Sequence, residues 1–183
     1  MSERAKPSGA RGPIAGKPKR KPVLITGGSA GLQKVMAEDI LYTECRRLGC
    51  RPVFLRNPDN GSLRAAGLER GMRVLDLGCG LGETSLLIAK VVGASGLVVG
   101  VDPSAEAIEV AEKRATAASQ CYWARFLVAD LNTFVLDEVF DVVIARPTSL
   151  DSREPAAALR RLSTFVHPGG VIAFHESSCR TDP

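Results

Sequence analysis

From Met72 onward, apolar and polar residues follow a repeating order: a short apolar run rich in β-branched residues, a polar or glycine turn, and a segment with helical spacing. The predicted strands are Arg73 to Leu77, Leu97 to Asp102, Tyr122 to Val128, Phe140 to Ala145 and Val171 to His175. The predicted helices are Glu83 to Val92, closed by Gly93, then Ser104 to Ala118, with Ser104 as N-cap, and Glu154 to Phe165. Strands that alternate with helices at this spacing form parallel sheets with helices on both faces. The pattern therefore predicts an α/β fold with a doubly wound, mostly parallel sheet.

The pattern is weaker before Met72. Leu32 to Leu48 has the spacing of one amphipathic helix, and Arg51 to Ser62, with two prolines and a glycine, is typical of a loop. Residues 1 to 21 hold seven Lys or Arg against one acidic residue, among many Pro and Gly, and such a composition cannot pack a core. We therefore expect a disordered basic tail over 1–22, a helical lead-in and loop over 23–66, and a core domain over 67–183.

Composition limits what these elements can build. The chain has 183 residues, of which 45% are apolar and 24% charged, and this fits one globular domain. No apolar run reaches the ~18 residues that cross a bilayer, and the N-terminus does not resemble a secretory signal, so we expect a cytoplasmic protein. Five cysteines without a CxxC pair favour reduced thiols and no metal site.

The net charge of +4 is unevenly distributed along the chain. Residues 1–21 carry +6, so residues 22–183 carry −2. The sequence therefore indicates no basic surface for nucleic acid outside the tail. Lys17 to Lys21 fits either a nuclear-import or polyanion-binding cluster or a solvated tail, and we favour the solvated tail.

The segment Asp76 to Gly82, with the sequence DLGCGLG, ends a predicted strand and opens a helix. Glycines here let the backbone turn tightly near a ligand, although the dinucleotide fingerprint would place its last glycine where this chain has Glu83. The next two strands lead to Asp102 and Asp130. Asp102 could accept both hydroxyls of a ribose, or could cap the following helix. Asp130 could receive a nucleobase amino group, or could be a turn residue.

These motifs resemble the catalytic core of class I S-adenosylmethionine-dependent methyltransferases, in particular small-molecule enzymes similar to the ubiquinone-biosynthesis C-methyltransferases. The resemblance runs from Gly67 to Glu176. The matching segments are Leu75 to Gly82, Val99 to Ser104, Val128 to Asp130, Phe140 to Val143, and Leu159 to Leu162 followed by Pro168-Gly169-Gly170. The resemblance implies a Rossmann-like core, S-adenosylmethionine as cofactor and a small-molecule acceptor.

The same resemblance implies roles for individual residues. The three glycines of the turn would border the methionyl end of the cofactor, Asp102 would hold the ribose, Pro103 would pack near the adenine, and Asp130 would meet the adenine amino group. The expected cofactor-binding residues are Asp76, Gly78, Gly80, Gly82, Asp102, Pro103, Asp130 and Leu131. We assign no catalytic residue, because in-line transfer of an activated methyl group needs mainly alignment.

The chain also departs from the related pattern. A His that often stands five residues beyond the position of Arg146 is replaced by Asp151. The related domains continue past the fifth strand through a helix and an antiparallel pair of strands, so we expect a core without its usual last strands. Val171 to His175 would then be an exposed edge that recruits a second copy or a partner chain. A truncated, noncatalytic cofactor-binding or interaction module is the alternative to an active enzyme.

Two other enzyme classes fit less well. A short-chain dehydrogenase would follow the glycines of Thr26 to Gly31 with another at position 33, which is Gln33, and would need a Tyr followed four residues later by Lys. Tyr42 is followed at that distance by Arg46. Nucleic-acid methyltransferases that act on exocyclic amines carry an Asn or Asp, two prolines and an aromatic residue after the fourth strand, where this chain has Ala145 to Thr148.

Three further residues could be proposed as reactive groups. We assign His167 and His175 to turn and surface positions, since they stand before and near the end of the fifth predicted strand. We assign Cys79, within the glycine turn, to packing.

Overall fold

A computed structural model describes residues 42–56, 58–146 and 155–176. Its strands are β1 (Arg51–Arg56), β2 (Arg73–Leu77), β3 (Leu97–Asp102), β4 (Ala124–Val128), β5 (Phe140–Ala145) and β6 (Val166–Glu176). Its helices are α1 (42–47), α2 (Asn60–Ala65), α3 (Glu83–Val92), α4 (Ala105–Ala117) and α5 (Pro155–Ser163). The strands form one sheet in the order β1-β6-β5-β2-β3-β4, and every pair is parallel. The predicted α/β fold is confirmed.

The elements predicted from β2 onward lie where the sequence placed them. The α3 helix follows Gly82 and ends at Gly93, and the Ser104 side chain accepts the N–H of Ala107 at 3.2 Å as the N-cap of α4. The β4 strand begins two residues later than predicted, and β6 begins five residues earlier, at Val166. The basic tail and most of the predicted helix over Leu32 to Leu48 lie outside the described residues.

The loop predicted for Arg51 to Ser62 is wrong over most of its length. Residues 51–56 form β1, which pairs along its whole length with β6, and α2 follows almost at once. Asp59 caps α2: its Oδ1 accepts the N–H of Ser62 at 2.6 Å, and the Ser62 hydroxyl accepts the Asp59 N–H at 2.8 Å. Pro52 is compatible with β1 because this strand lies at the edge of the described sheet, where one side of the backbone needs no N–H donor.

The exposed edge predicted for Val171 to His175 is also wrong. The β6 strand that contains these residues lies between β1 and β5. Val53 and Leu55 of β1 are buried on one side of the sheet, while Phe54 contacts Phe174 on the other at a ring-centroid distance of 5.4 Å. The parallel strand β1 therefore covers this edge of β6. The structure gives no support to self-association through Val171 to His175.

The core has two layers, one on each face of the sheet. The first face, here called the α3 face, packs against α2, α3 and α4, whereas α1 and α5 pack against the opposite face. Side chains alternate along each strand, so Val74 lies on the α3 face and Leu75 on the opposite face. Burying side chains of this size stabilises the fold by about 1.5–3 kcal/mol each.

Helix length and the state of the thiols are two further features of the described residues. Neither α1–α5 nor any other helix described in the structure has the length and apolar character needed to span a membrane. Cys45, Cys50 and Cys79 are buried free thiols, and Cys121 is an exposed one.

Candidate cofactor site

The turn between β2 and α3 is built from three glycines in the left-handed region. Gly78, Gly80 and Gly82 have φ angles of 74°, 53° and 78°. The N–H groups of Gly78 and Cys79 both donate to the carbonyl of Val101 at 2.8 and 3.2 Å, which ties the turn to β3. L-residues adopt this backbone conformation at a cost, and so the local sequence requires glycine.

The glycines of the turn serve different purposes. A Cβ on Gly82 would lie 2.8 Å from the Ala111 Cβ, so this glycine lets the start of α3 pack directly on α4. A Cβ on Gly80 would meet only Arg146 Nη1, at 3.7 Å. Gly80 therefore borders open space at the carboxyl edge of the sheet, where a ligand could approach the backbone.

Asp102 lies at the carboxyl end of β3 and reaches over this turn. Its Oδ2 accepts the N–H of Gly80 at 2.8 Å, and its Oδ1 accepts the N–H of Ser104 at 3.0 Å. The second contact shows that the carboxylate supports the start of α4. This agrees with the interpretation of Asp102 as a residue that caps the following helix. A carboxylate has about four acceptor positions, so two N–H donors leave room for ligand hydroxyls.

Asp76 lies beneath the turn. Its side chain is 2% exposed, and its Oδ2 accepts the hydroxyl of Ser85 from α3 at 2.5 Å. Burial raises the pKa of Asp76, and the charge of Asp102 acts in the same direction, while Ser85 and the Arg146 guanidinium oppose them. The contact with Ser85 makes Asp76 a support for the turn from within the protein.

Asp130 follows β4 and is exposed. Its Oδ1 accepts the N–H of Asn132 at 2.7 Å, and its carbonyl accepts the N–H of Phe134 at 3.0 Å. Asp130 is therefore a turn residue, which was the alternative to its role in binding a nucleobase. Leu131 is half-buried against the layer that contains α5, and Pro103 is exposed.

Arg161 of α5 fixes the loop that contains Asp130. Its Nη2 donates to the carbonyl of Phe134 at 2.5 Å and its Nε to that of Leu131 at 3.4 Å. The guanidinium also lies over the rings of Phe134 and Phe165, which stack on each other at 5.0 Å. Sequence reasoning missed this role, although Arg161 lies within one of the segments that carry the family resemblance.

Arg146 and His175 were not among the expected site residues. Arg146 directly follows β5, and its Nε is buried without a hydrogen-bond partner among the described residues. His175 is 7% exposed within β6, so its assignment to a surface or turn position is wrong. Burial lowers the pKa of His175, and the nearby Arg146 charge lowers it further. The signal in the sequence was alternation, because His175 continues the pattern of Val171 and Ala173, both buried on the α3 face.

The remaining candidates have structural roles or lie elsewhere. Cys79 is buried in the α3-face layer, and its Sγ lies 3.0 Å from the position of a Cβ on Gly100, so its assignment to packing is confirmed. Burial raises the pKa of the Cys79 thiol, which disfavours a reactive thiolate. His167 is exposed as expected, but it lies within β6 and not in a turn before the strand. Within 42–56, 58–146 and 155–176, no group of three His, Cys, Asp or Glu is arranged to hold a metal ion.

A parallel sheet with a glycine turn after β2 and an acidic residue at the tip of β3 defines the class: this is the Rossmann-like fold of class I S-adenosylmethionine-dependent methyltransferases. Residues 68–182 match the family model described as a methyltransferase domain. The chain belongs to this methyltransferase family, and enzymes of its class take the methyl group from S-adenosylmethionine. The family assignment leaves the dehydrogenase alternative without support.

Individual relatives act on different acceptors. The chain is 32% identical over 121 residues to an arsenite methyltransferase from Aquipseudomonas alcaligenes, covering 62% of this chain and 35% of the relative. It is 37% identical over 124 residues to the 23S rRNA (uracil(1939)-C(5))-methyltransferase RlmD from Acinetobacter baumannii, covering 59% and 27%. The solved structure of YjhP from E. coli superposes with a TM-score of 0.54 at 26% identity, covering 62% of this chain and 46% of that one. The chain thus spans less than half the length of each.

Proposed function

We propose that this chain binds S-adenosylmethionine at the carboxyl ends of β2, β3 and β4 and transfers its methyl group to a small-molecule acceptor. The observation that carries the proposal is the position of Asp102, whose carboxylate lies beside the Gly80 N–H at the mouth of the glycine turn. A charged acceptor at that place suits two neighbouring hydroxyls, and the absence of a Cβ on Gly80 leaves room for a ligand.

Each part of this cofactor has a candidate partner among the residues of the site. Asp102 would accept the ribose hydroxyls, and the turn from Gly78 to Gly82 would border the methionyl end. Asp76 would support that turn through Ser85 without touching the ligand, since its side chain is buried.

The loop after β4 would hold the other end of the cofactor. Only one oxygen of the Asp130 carboxylate accepts the Asn132 N–H, so the other suits the adenine amino group. Pro103 and the exposed side chain of Val128 offer apolar surface near that position. The contacts of Arg161 with the carbonyls of Leu131 and Phe134 keep this loop in place against α5.

The cofactor supplies an activated methyl group on a sulfonium, and the protein has to bring the acceptor into line with it. Holding two reactants in such a geometry lowers the barrier by about 7–11 kcal/mol, so transfer does not require a general base. Backbone hydrogen bonds tie the turn to β3, and the Gly80 N–H donates to the Asp102 carboxylate. The part of the site that would orient the cofactor is therefore formed before binding.

Charge favours a small molecule as the acceptor over RNA. Outside residues 1–21 the chain has a net charge of −2, which opposes binding to a phosphate backbone. One relative is an arsenite methyltransferase, and arsenite is a small molecule, whereas another relative methylates 23S rRNA. The basic run in residues 1–21 is the feature that would favour RNA.

Two measurements test the proposal. Isothermal titration with S-adenosylhomocysteine should show one site per chain, and radiolabelled S-adenosylmethionine should label the low-molecular-weight fraction of a cell extract. Label in the RNA fraction would instead support the nucleic-acid acceptor. Binding without any transfer would support the alternative of a noncatalytic cofactor-binding module, and no binding would contradict both.

A further inference from the structure

Two buried nitrogen atoms that have no hydrogen-bond partner among the described residues lie at the carboxyl ends of neighbouring strands. Ala145, the last residue of β5, pairs with Phe174 of β6, so Arg146, which follows β5, comes beside His175 of β6. Ile144 and Ala173 both lie on the α3 face, and because side chains alternate, Arg146 and His175 belong to that face as well. The two side chains therefore lie near each other at the carboxyl edge of the sheet, on the same side as Asp102.

Neither nitrogen is satisfied within the described part of the protein. Arg146 Nε and His175 Nδ1 are buried and form no hydrogen bond there. The ion pairs formed by the described residues do not include Arg146. Buried donors without partners destabilise the free protein, and they are retained most often where a ligand completes them.

The two carboxylates nearby have other partners, and neither forms a hydrogen bond or an ion pair with Arg146. Asp102 accepts the N–H groups of Gly80 and Ser104, and Asp76 accepts the hydroxyl of Ser85. Arg146 Nη1 would lie 3.7 Å from a Cβ on Gly80, so the guanidinium extends to the glycine turn. A positive charge with a free donor thus faces the place where the methionyl end of the cofactor is proposed to lie.

We infer that Arg146 and His175 together form a carboxylate-binding subsite at the tips of β5 and β6. One carboxylate oxygen would accept Arg146 Nε–H, and the other would accept Nδ1–H of a neutral His175, so a single ligand group satisfies both buried atoms. This inference rests on the proposed function. The carboxylate has two possible sources, the methionyl group of the cofactor and a carboxylate on the acceptor.

The test compares S-adenosylhomocysteine with 5′-methylthioadenosine, which keeps the adenosine but has no carboxylate. Both ligands are titrated calorimetrically into the full chain and into the variants Arg146→Met and His175→Gln. Loss of one charge-assisted hydrogen bond should weaken the binding of S-adenosylhomocysteine about 10- to 100-fold and should leave the affinity for methylthioadenosine within about twofold of the wild-type value. This difference reports on the carboxylate, since a general loss of structure would weaken both ligands.

Matched variants control for charge and for folding. Arg47→Met removes an exposed arginine of α1, and His167→Gln removes an exposed histidine at the start of β6, and neither should affect binding. His175→Asn places an amide N–H near the position of Nδ1 and should restore most of the affinity that His175→Gln loses. Thermal melts identify any variant that fails to fold, and Arg146→Lys, which keeps the charge, then replaces Arg146→Met.

The outcomes separate the sources. Selective loss of S-adenosylhomocysteine binding assigns the subsite to the cofactor. Benzoate serves as a probe for a carboxylate on the acceptor. The subsite belongs to the acceptor if both variants bind S-adenosylhomocysteine with normal affinity, and if the wild-type complex with S-adenosylhomocysteine binds benzoate while the variant complexes do not. The inference is overturned if the variants weaken the binding of S-adenosylhomocysteine and methylthioadenosine equally. It is also overturned if the variants change neither affinity and the wild-type complex does not bind benzoate. If the wild-type chain binds neither nucleoside, the proposed function fails, and the inference fails with it.

Discussion

Asp102 accepts the N–H of Gly80 at 2.8 Å, so the carboxylate at the tip of β3 is fastened to the turn that follows β2. The two residues are 22 positions apart in the chain, and the parallel pairing of β2 and β3 brings them together. The contact gives the glycine turn a fixed partner before any ligand binds. Asp102 therefore has both a structural and a proposed ligand-binding role.

Replacing Asp102 with Ala should weaken the binding of S-adenosylhomocysteine about 100-fold or more. Two hydrogen bonds from ribose hydroxyls to a charged acceptor contribute about 1.5–3 kcal/mol each, and the tie to Gly80 is lost as well. Calorimetric titration measures the change, with Asp137→Ala, an exposed acidic residue before β5, as the control. Unchanged affinity in the Asp102 variant would remove this residue from the proposed site.

Gly82→Ala should destabilise the protein more than Gly80→Ala. The new Cβ at position 82 would lie 2.8 Å from the Ala111 Cβ, whereas at position 80 its nearest neighbour would be 3.7 Å away. Both variants carry the cost of about 1–2 kcal/mol for a left-handed L-residue, and overpacking adds about 1–3 kcal/mol at position 82 only. Urea unfolding gives both free energies. Equal losses would mean that α3 and α4 do not pack through Gly82.

Asp76→Asn should make stability less dependent on pH. Burial raises the pKa of Asp76 in the folded state, so the folded protein binds a proton more tightly than the unfolded chain does. The contribution of this group is therefore fully present below the unfolded pKa and is lost as pH rises through the folded value. Asn keeps an acceptor for the Ser85 hydroxyl without the charge.

The measurement for Asp76 is urea unfolding of wild type and variant between pH 4 and pH 8. The stability of the Asn variant relative to wild type should increase as pH rises across this range. The opposite slope would show that Arg146 and Ser85 outweigh burial and hold the pKa of Asp76 low. Ser85→Ala, which leaves the carboxylate without its hydroxyl partner, should strengthen the predicted slope.

Arg161→Met should loosen the loop after β4 and weaken cofactor binding by a smaller factor than Asp102→Ala. The substitution removes the two hydrogen bonds to the carbonyls of Leu131 and Phe134 and the contacts with two aromatic rings. Hydrogen exchange at the backbone of residues 129–136 should accelerate. Arg160→Met, which removes an exposed arginine 3.6 Å from Glu44, is the control and should leave that exchange unchanged.

The sequence was sufficient for those elements whose signals are local. The β2–α3–β3–α4 run was predicted because its glycine turn and its Ser104 cap lie within a few residues of the elements they delimit. β1 was missed because Pro52, Pro58 and Gly61 are typical of loops. An edge strand tolerates proline, and the pairing of β1 with β6 joins positions about 120 residues apart, so it leaves no local trace.

The same distinction applies to the site. The positions of Asp102 and Asp130 at strand ends could be predicted because each acid directly follows an apolar run. The position of Arg146 beside His175 depends on the register between β5 and β6, which no short motif encodes. The ligand contacts of the expected cofactor residues remain predictions.

The position of β6 between β1 and β5 also determines the order in which the sheet can be assembled. On a ribosome, β1 emerges well over a hundred residues before β6, and no other described strand pairs with it. Until β6 is made, Phe54 has no Phe174 to contact, and the β1 backbone has no strand beside it. Completion of this sheet is therefore a late event in synthesis, and a nascent chain released or cleaved before Val166 would leave β1 without a strand on either side and β5 with one unpaired edge.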